Sequence, residues 1–306
     1  MLRQQLSSFA RQPWLRKAAM STPGVRDLAW RFVAGESLDA GVAAARALAA
    51  RGIGVTLHHV GTHVRRDAAA RAGADAAIAA LRRLHAERLE PNVSVKLTQL
   101  GLDLDLELCR VLLRRVLDAA RELQGFVRLD MEESAYTSRI LALYDEARRV
   151  HGDAVGIVLQ SYLRRNQADL ETLVAAGARI RLVKGGYWEP AEAVYRKKAE
   201  IDAAFERDLE VLLRRGHRPA VATHDPGAIQ RARRVAAEAG IPQGSFELQM
   251  LYGVREELQD ELVRDGHAVR SYVPYGDQWY EYVLGCARRM PGGAVRRLVE
   301  RFRPAA

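Results

Sequence analysis

Cysteine is scarce in this chain, and several motifs that mark common enzyme classes are missing. Only two cysteines occur among 306 residues, Cys109 and Cys286, too few for a disulfide framework or a zinc site of their own. No apolar run is long enough to span a bilayer. Neither a Gly-x-Gly-x-x-Gly dinucleotide fingerprint nor a Gly-x-Ser-x-Gly elbow occurs, and no stretch has metal-ligand spacing. These absences lead us to expect a cytoplasmic protein without a metal.

The chain is basic, with a formal net charge of +9, so nucleic acid and anionic membranes have to be considered as partners. Its arginines are spread over stretches with helical spacing, such as Arg82–Arg83, Arg114–Arg115 and residues 231–234. No aromatic residues interleave with them, as a platform for stacked bases would require. We interpret these arginines as solvated helix surfaces and expect no nucleic-acid partner.

The first 26 residues contain no acidic side chain, whereas five Lys or Arg occur among them. Such a start is typical of an organellar transit peptide or of an amphipathic helix on an anionic membrane. It is also compatible with a helical arm packed on the domain, which is our prediction for residues 1–38. Peripheral membrane contact stays open as an alternative.

Eight short β-branched or apolar runs recur along the chain, separated by Ala-, Leu- and Arg-rich stretches with helical spacing. The runs cover residues 54–60, 93–97, 126–130, 155–160, 180–184, 220–224, 246–251 and 269–273. Alternation of strands and helices predicts a parallel sheet, and no linker or change of composition divides the eight units. We therefore predict an α/β protein with one (β/α)8 TIM-like barrel over residues 39–306. A doubly wound sheet is the alternative.

Polar side chains occur late in seven of the eight predicted strands. These residues are Lys96, Asp130, Gln160, Lys184, His224, Gln249 and Tyr272. Barrel enzymes carry their chemistry at the carboxyl ends of the strands, so this pattern predicts a functional mouth. Lys96 and Asp130 end neighbouring strands, where a lysine beside a carboxylate keeps its charge and its position. The pair is either a structural ion pair or a cation that contacts an anionic or electron-rich substrate.

Several motifs, ordered along roughly residues 40 to 300, resemble those of the proline dehydrogenase family. They are Val95-Lys-Leu97, Arg128-Leu-Asp-Met-Glu132, Arg181-Leu-Val-Lys-Gly-Gly-Tyr-Trp188, Ala222-Thr-His224, Phe246 to Gly253 and Tyr272 to Pro291. The resemblance implies a barrel flavoenzyme that binds FAD noncovalently. It also implies that hydride leaves a carbon beside an amine-like nitrogen, which gives an imine and reduced flavin.

The resemblance also implies a role for individual residues. Arg181 would lie beside flavin N5, where a guanidinium stabilises the negative charge that develops on reduction. The other residues expected to hold FAD are Gln160, Lys184, Lys198, Thr223 and His224. The residues expected to form the substrate pocket are Lys96, Asp130, Tyr187, Leu251, Tyr272 and Tyr282. A quinone or oxygen would accept the electrons.

The sequence departs from the family pattern around one part of this pocket. Gly285 and Cys286 stand where the family has two arginines that bind the substrate carboxylate. Thr62 stands where the family has a glutamate paired with the first arginine, and Arg289 replaces a glutamate that faces the cofactor. Losing both members of an ion pair strands neither charge, so the changes look like a consistent remodelling.

The missing arginines lead us to expect a substrate other than free proline. Candidates are a modified amino acid, a hydrazine or amine analogue, or an esterified or carrier-tethered acid in a specialised pathway. Three alternatives stay open. The chain is an ordinary L-proline dehydrogenase, Arg288 and Arg289 take over the lost role through a helix shift, or the barrel binds flavin without catalysis.

Overall fold

The computed structural model describes residues 29–289 and, within the last helix, the side chains of residues 279–283 and 286 only. Eight parallel strands form a closed barrel in sequence order. They are β1 (Gly54–His59), β2 (Asn92–Val95), β3 (Phe126–Leu129), β4 (Val155–Gln160), β5 (Arg179–Val183), β6 (His217–Ala222), β7 (Glu247–Leu251) and β8 (Ala268–Tyr275). The barrel closes where β1 pairs with β8, from Gly54 opposite Arg270 to His59 opposite Tyr275.

Helices separate the strands throughout the described part of the chain. They are α1 (Leu38–Ala49), α2 (Asp67–Ala86), α3 (Leu106–Glu122), α4 (Thr137–His151), α5 (Asn166–Ala175), α6 (Lys198–Arg215), α7 (Pro226–Glu238), α8 (Glu256–Arg264) and α9 (Trp279–Arg289). Sequence signals set several of their starts. Asp105 caps α3 by accepting a hydrogen bond from the Leu108 amide at 2.7 Å, and Pro226 follows the Asp225 cap of α7.

The outer ring is completed by α1, which precedes the first strand. This helix packs against both β1 and β8, and its Gly41 lies so close to the Tyr275 ring that an added Cβ would be 3.1 Å from it. The last helix, α9, lies elsewhere. Its Trp279 is 1% exposed and packs on Ala29 and Val33, and its indole nitrogen donates to Glu36 at 3.0 Å.

The segment that holds α9 crosses the end of the barrel where β7 and β8 finish. The Ala34 amide donates to the Pro274 carbonyl at 2.9 Å, and the backbone of Arg31 lies directly against Gly253, just after β7. Because Tyr282 on α9 lies close enough to affect the ionisation of Tyr272, this helix borders the mouth of the barrel.

Most strands have one apolar and one polar face, whereas β6 presents the small residues Ala220 and Ala222 inward. Residues such as Val55, Leu57 and Leu129 belong to the apolar cluster between the sheet and the helices. The alternate residues point into the barrel, where Thr56 donates to Asn92 at 2.7 Å. TIM-barrel interiors are usually filled by branched apolar side chains. Here the interior is instead a polar column, so the apolar core lies outside the sheet.

The predicted (β/α)8 barrel is confirmed, and closure of the sheet excludes the doubly wound alternative. The predicted strands match within three residues, the largest difference being β6, which begins at His217 rather than Ala220. Residues 1–28 of the expected arm lie outside the described residues, so the arm and its boundary stay predictions. Within residues 29–289, every helix is too short or too polar to cross a membrane.

The close contact between Gly253 and the Arg31 backbone can be tested by comparing alanine substitutions at Gly253 and Gly240. Both have positive φ, +68° and +64°, but only Gly253 has no room for a Cβ. Gly240→Ala should cost about 1–2 kcal/mol of unfolding free energy from its backbone conformation. Gly253→Ala should cost a further ~1–3 kcal/mol because backbone must move, and tryptic cleavage at Arg31 should accelerate. Urea unfolding measures both variants, and equal losses would contradict the close contact.

Candidate active site

Asp130 is the centre of the mouth. Its Oδ2 accepts hydrogen bonds from Lys96 Nζ at 3.0 Å and from the Tyr272 hydroxyl at 2.7 Å. Its Oδ1 accepts from Arg181 Nη1 at 3.1 Å. Lys96 and Asp130 directly follow β2 and β3, whereas Arg181 and Tyr272 reach inward from β5 and β8. The side chains of Asp130 and Arg181 are only 9% and 6% exposed, so one carboxylate holds two cations in a nearly dry site.

The charges of this cluster stabilise one another. Burial opposes ionisation of Asp130, but the positive charges of Lys96 and Arg181 outweigh it and lower the pKa of the carboxyl group. Burial likewise opposes the charge on Lys96, yet Asp130 raises the pKa of this amine above its usual value. The pKa of Tyr272 is raised by burial and by the nearby carboxylate. Near neutral pH the cluster therefore holds two cations, one anion and a neutral phenol.

Arg181 is oriented by contacts on several sides. Its Nε donates to Gln249 Oε1 at 2.6 Å, and Nη1 also donates to Ser94 Oγ at 3.2 Å. The guanidinium carbon lies 5.4 Å from the centre of the Tyr272 ring. These contacts fix the plane of the guanidinium group, and a fixed group loses little entropy when a ligand binds.

The remaining predicted substrate residues surround this cluster at different distances. Tyr187 lies close enough to Lys96 for its hydroxyl to influence the charge of the amine. Tyr282 stands in the same relation to Tyr272. Leu251, at the end of β7, is partly buried, and its amide is held by a neighbouring histidine. The structure thus gathers the predicted pocket at one end of the barrel.

Gln160 has a buried carbonyl oxygen that a polar ligand could bind. It ends β4, is 3% exposed and donates from Nε2 to the Met131 carbonyl at 3.3 Å. Its Oε1 is buried without a hydrogen-bond partner among the described residues. An unpaired buried acceptor is costly, so a ligand N–H fits here.

Gly185, which follows β5, has φ +98° and packs directly on the Tyr162 ring, which leaves no space for a side chain.

Thr223 and His224 follow β6, where both side chains bond to backbone. His224 Nε2 accepts from the Leu251 amide at 2.8 Å, so the ring carries its proton on Nδ1. Burial lowers the pKa of His224 to about 4, which keeps the ring neutral. Thr223 Oγ1 accepts from the Asp225 amide at 3.1 Å. Among the described residues the Nδ1–H group of the imidazole has no hydrogen-bond partner, so it can donate to a ligand.

Lys184 and Lys198 share an acidic partner, Asp202. Lys184 Nζ lies 2.6 Å from Asp202 and 2.9 Å from Asp225. Lys198 is highly exposed and pairs with the other oxygen of Asp202. A phosphate would have to compete with these carboxylates for either amine, and the proposed roles of both lysines in holding the cofactor stay predictions.

Glu132 is a buried residue of this site for which the sequence suggested no role. It is 1% exposed, and its Oε1 accepts from the Thr98 amide at 3.0 Å. Thr62 Oγ1 lies 2.9 Å from the Thr98 hydroxyl and 3.4 Å from Glu132 Oε2. Burial raises the pKa of Glu132, although the charge of Lys96 acts in the other direction. The sequence signal for Glu132 is its place at the end of the motif Arg128-Leu-Asp-Met-Glu132, in which we assigned no role to the glutamate.

His63, Glu132 and Glu133 bring ligand-type atoms within 4.8 Å of one another. His63 Nδ1 lies 2.8 Å from Asp103, and Nε2 lies 3.5 Å from Glu133. Hydrogen bonding to Glu133 is the main reason that the pKa of His63 rises to about 9. A protonated imidazole pairs with the carboxylates of both Asp103 and Glu133, so these contacts need no metal ion. The expected lack of a metal stays a prediction.

The family model for proline dehydrogenase matches residues 42–281. The chain belongs to the proline dehydrogenase family. It is 38% identical over 263 residues to the proline dehydrogenase of Deinococcus radiodurans, with 84% of each chain covered. It is 32% identical over 278 residues to proline dehydrogenase 2 of Bacillus subtilis, which covers 91% of this chain and 88% of the relative.

The same fold forms one part of larger proteins. Proline utilization A from Bdellovibrio bacteriovorus, inactivated by N-propargylglycine, is similar with a TM-score of 0.79 and 26% identity. The match covers 86% of this chain but only 32% of that one. The corresponding protein of Corynebacterium freiburgense, at 23% identity and a TM-score of 0.73, shares the fold. The predicted family is thereby confirmed, whereas the role of each site residue is still a prediction.

Asp130 can be tested through its effect on stability. Asp130→Asn should lower the unfolding free energy by about 3 kcal/mol near neutral pH, because Lys96 and Arg181 lose their shared counter-charge. The folded-state pKa of Asp130 is lowered, so its stabilisation is complete above the unfolded-state pKa of about 4 and is lost as the pH falls below it. The difference between wild type and variant should therefore shrink at about pH 3.

Urea unfolding at both pH values measures this difference. Asp75→Asn is the matched control, since Asp75 is 61% exposed and pairs with Arg115 at the surface. That variant should cost less than about 1 kcal/mol. A loss from Asp130→Asn no larger than that of Asp75→Asn would contradict the central role of the buried carboxylate.

Proposed function

We propose that this chain is an FAD-dependent dehydrogenase that oxidises the CH–NH bond of L-proline to an imine. The observation that carries the proposal is the Asp130 cluster, in which Lys96, Arg181 and Tyr272 converge on one buried carboxylate at the barrel mouth. Family membership and relatives named proline dehydrogenase support the choice of substrate. The reaction removes hydride from a carbon beside the nitrogen and a proton from the nitrogen.

The residues present fit FAD as the oxidant. Gln160 offers a buried acceptor, His224 an Nδ1–H donor and Arg181 a fixed cation. Bound FAD would supply the two-electron oxidant, and a quinone or oxygen would then accept the electrons. Arg181 would lie where negative charge grows during the reaction, which favours the transition state over the ground state.

Tyr272 is suited to receive the substrate amine. Its hydroxyl hydrogen is donated to Asp130 at 2.7 Å, so the oxygen lone pairs are left to accept a hydrogen bond from an N–H group. Because the pKa of Tyr272 is raised, mainly by burial, this phenol stays neutral. Lys96 keeps its charge beside the same carboxylate oxygen and contributes a cation next to the phenol.

A second candidate substrate is an amine without a free carboxylate. Its support is the sequence resemblance, which aligns Gly285 and Cys286 with the arginine pair of the family. Both residues lie beyond residues 42–281, which the family model matches. Within the described residues, Asp130 and Glu132 offset the two cations of the mouth. The similarity to curated proline dehydrogenases supports ordinary L-proline oxidation at least as well. Tethering of the substrate to a carrier and peripheral contact of the protein with a membrane likewise stay predictions.

Purified protein should carry noncovalent FAD, and anaerobic L-proline should bleach it. Chromatography after denaturation identifies the flavin, and stopped-flow absorbance gives the reduction rate constant and the apparent Kd. L-Prolinamide is the matched substrate, because it keeps the ring amine and removes the carboxylate charge. Preference for L-proline supports the first proposal, whereas preference for L-prolinamide supports the second. Bound FAD that neither compound reduces would point to a non-catalytic barrel, and no flavin would refute the cofactor.

Arg181→Met should lower the flavin reduction rate constant by about 10²-fold, because a donor to developing charge is lost. The apparent substrate Kd should change less than about threefold, since the effect lies in the transition state. Arg179→Met is the matched control on the same strand. Its guanidinium stacks on Phe126, 4.0 Å from the ring centre, at the start of β5. Equal effects of the two substitutions, or an unchanged rate constant in Arg181→Met, would remove Arg181 from its role.

A further inference from the structure

Gln249 connects the cation of the site to a carboxylate deeper in the barrel. It lies on β7 and is 4% exposed. Its Oε1 accepts from Arg181 Nε at 2.6 Å, and its Nε2 donates to Glu247 Oε2 at 2.7 Å. Glu247 is two residues earlier on the same strand, so both side chains point into the barrel. The amide thus bridges a cation and an anion.

The chemistry of its neighbours allows only one orientation of this amide. A guanidinium only donates hydrogen bonds and an ionised carboxylate only accepts them. Turning the amide over would oppose N–H to N–H at Arg181 and oxygen to oxygen at Glu247. Gln249 therefore presents its carbonyl to Arg181 permanently, and no other uncharged side chain of that length offers an acceptor and a donor together.

Glu247 is itself rigidly held at the opposite end of the barrel. Arg270 Nε and Nη2 donate to its two oxygens at 2.8 to 3.1 Å. Arg270 also donates to Glu90 and to the Val55 carbonyl, each at 2.8 Å. Burial opposes ionisation, but Arg270 lowers the pKa of Glu247 to about 2. The carboxylate that orients Gln249 is thus charged at every physiological pH.

Arg181 on β5 can reach Gln249 on β7 because the intervening strand, β6, has small inward-facing side chains. In the sheet register, Ala220 lies beside both Arg181 and Glu247, and Ala222 lies beside Gln249. The methyl groups of β6 let the guanidinium cross from β5 to β7. With Nε and Nη1 engaged, Arg181 Nη2 has no hydrogen-bond partner among the side chains and backbone that the structure describes, so it is the donor left for a ligand.

We propose that Gln249 is a positioning residue that aims Arg181 at the flavin and thereby tunes its reduction. The inference rests on the proposed function, because it assumes a flavin at the mouth. Gln249 touches neither cofactor nor substrate in this scheme. It holds Nε, so that the remaining donor of Arg181 points in a fixed direction.

The test compares Gln249→Met, which keeps the length and removes both bonds, with Gln249→Asn, which is too short to make both. Each variant should lower the flavin reduction rate constant by about tenfold or more, with the apparent substrate Kd changed less than about threefold. The flavin midpoint potential should also fall, because a misplaced Arg181 stabilises less of the charge gained on reduction. A tenfold change in a two-electron equilibrium corresponds to about 30 mV.

Asn166→Leu is the matched control. Asn166 is buried on α5 and donates its amide to Asp208 at 2.7 Å, so its replacement also breaks a buried amide–carboxylate bond. That variant should lose stability but keep the wild-type midpoint potential and rate constant. If Gln249→Met fails to fold, Gln249→Asn, which stays polar, decides the question.

The inference and the proposed function fail in different ways. If the wild-type protein binds no FAD, or if neither L-proline nor L-prolinamide reduces it, the proposed function is wrong. If the wild type is reduced but folded, FAD-loaded Gln249 variants keep its potential and rate constant, the positioning role is wrong. Equal changes in Asn166→Leu would also overturn it, because they would mark a general effect of lost stability.

Discussion

The structure depends on one constraint. The barrel interior is polar, so the charged side chains inside it have to share their counter-charges. Asp130 stabilises Lys96 and Arg181, and Glu247 stabilises Arg270 at the opposite end. Breaking a buried pair by removing one partner is costly, since the remaining charge stays uncompensated. Consequently the interior residues form one connected polar column, and the site at the mouth cannot move independently of the strands that carry it.

The column also explains where the stability of the fold resides. Packing of the sheet against the helices supplies the apolar core, with residues such as Leu57, Leu112 and Leu182 fully buried outside the barrel. The interior can therefore be given to polar groups. A chain that buries charge in this way requires almost every donor and acceptor to be matched. Exceptions among the described residues include the inward-facing acceptors Gln160 Oε1 and His58 Nε2 and the donor Arg128 Nε.

The sequence was sufficient to predict the barrel, because apolar runs and helical spacing depend on local periodicity. It also predicted that Lys96, Asp130 and Tyr272 lie together, since strand ends of one barrel share a mouth, and the family resemblance added Arg181 to them. It could not show that Gln249 bonds to Arg181, because these residues are 68 positions apart and the contact crosses an intervening strand. Nor could it show that Thr62 bonds to Thr98, which depends on loop geometry rather than on any repeat.

The placement of α1 has a consequence for how this fold can diversify. In a regular (β/α)8 barrel the last helix packs outside the last strand and helps to seal the core. Here α1 packs on both β8 and β1, whereas the described contacts of α9 are mainly with the segment before α1. Trp279 anchors its start to the segment before α1, and Tyr282 borders the mouth. Substitutions in α9 beyond Trp279 should therefore cost the closure of the barrel little, so that the border of the mouth can change while the fold is maintained.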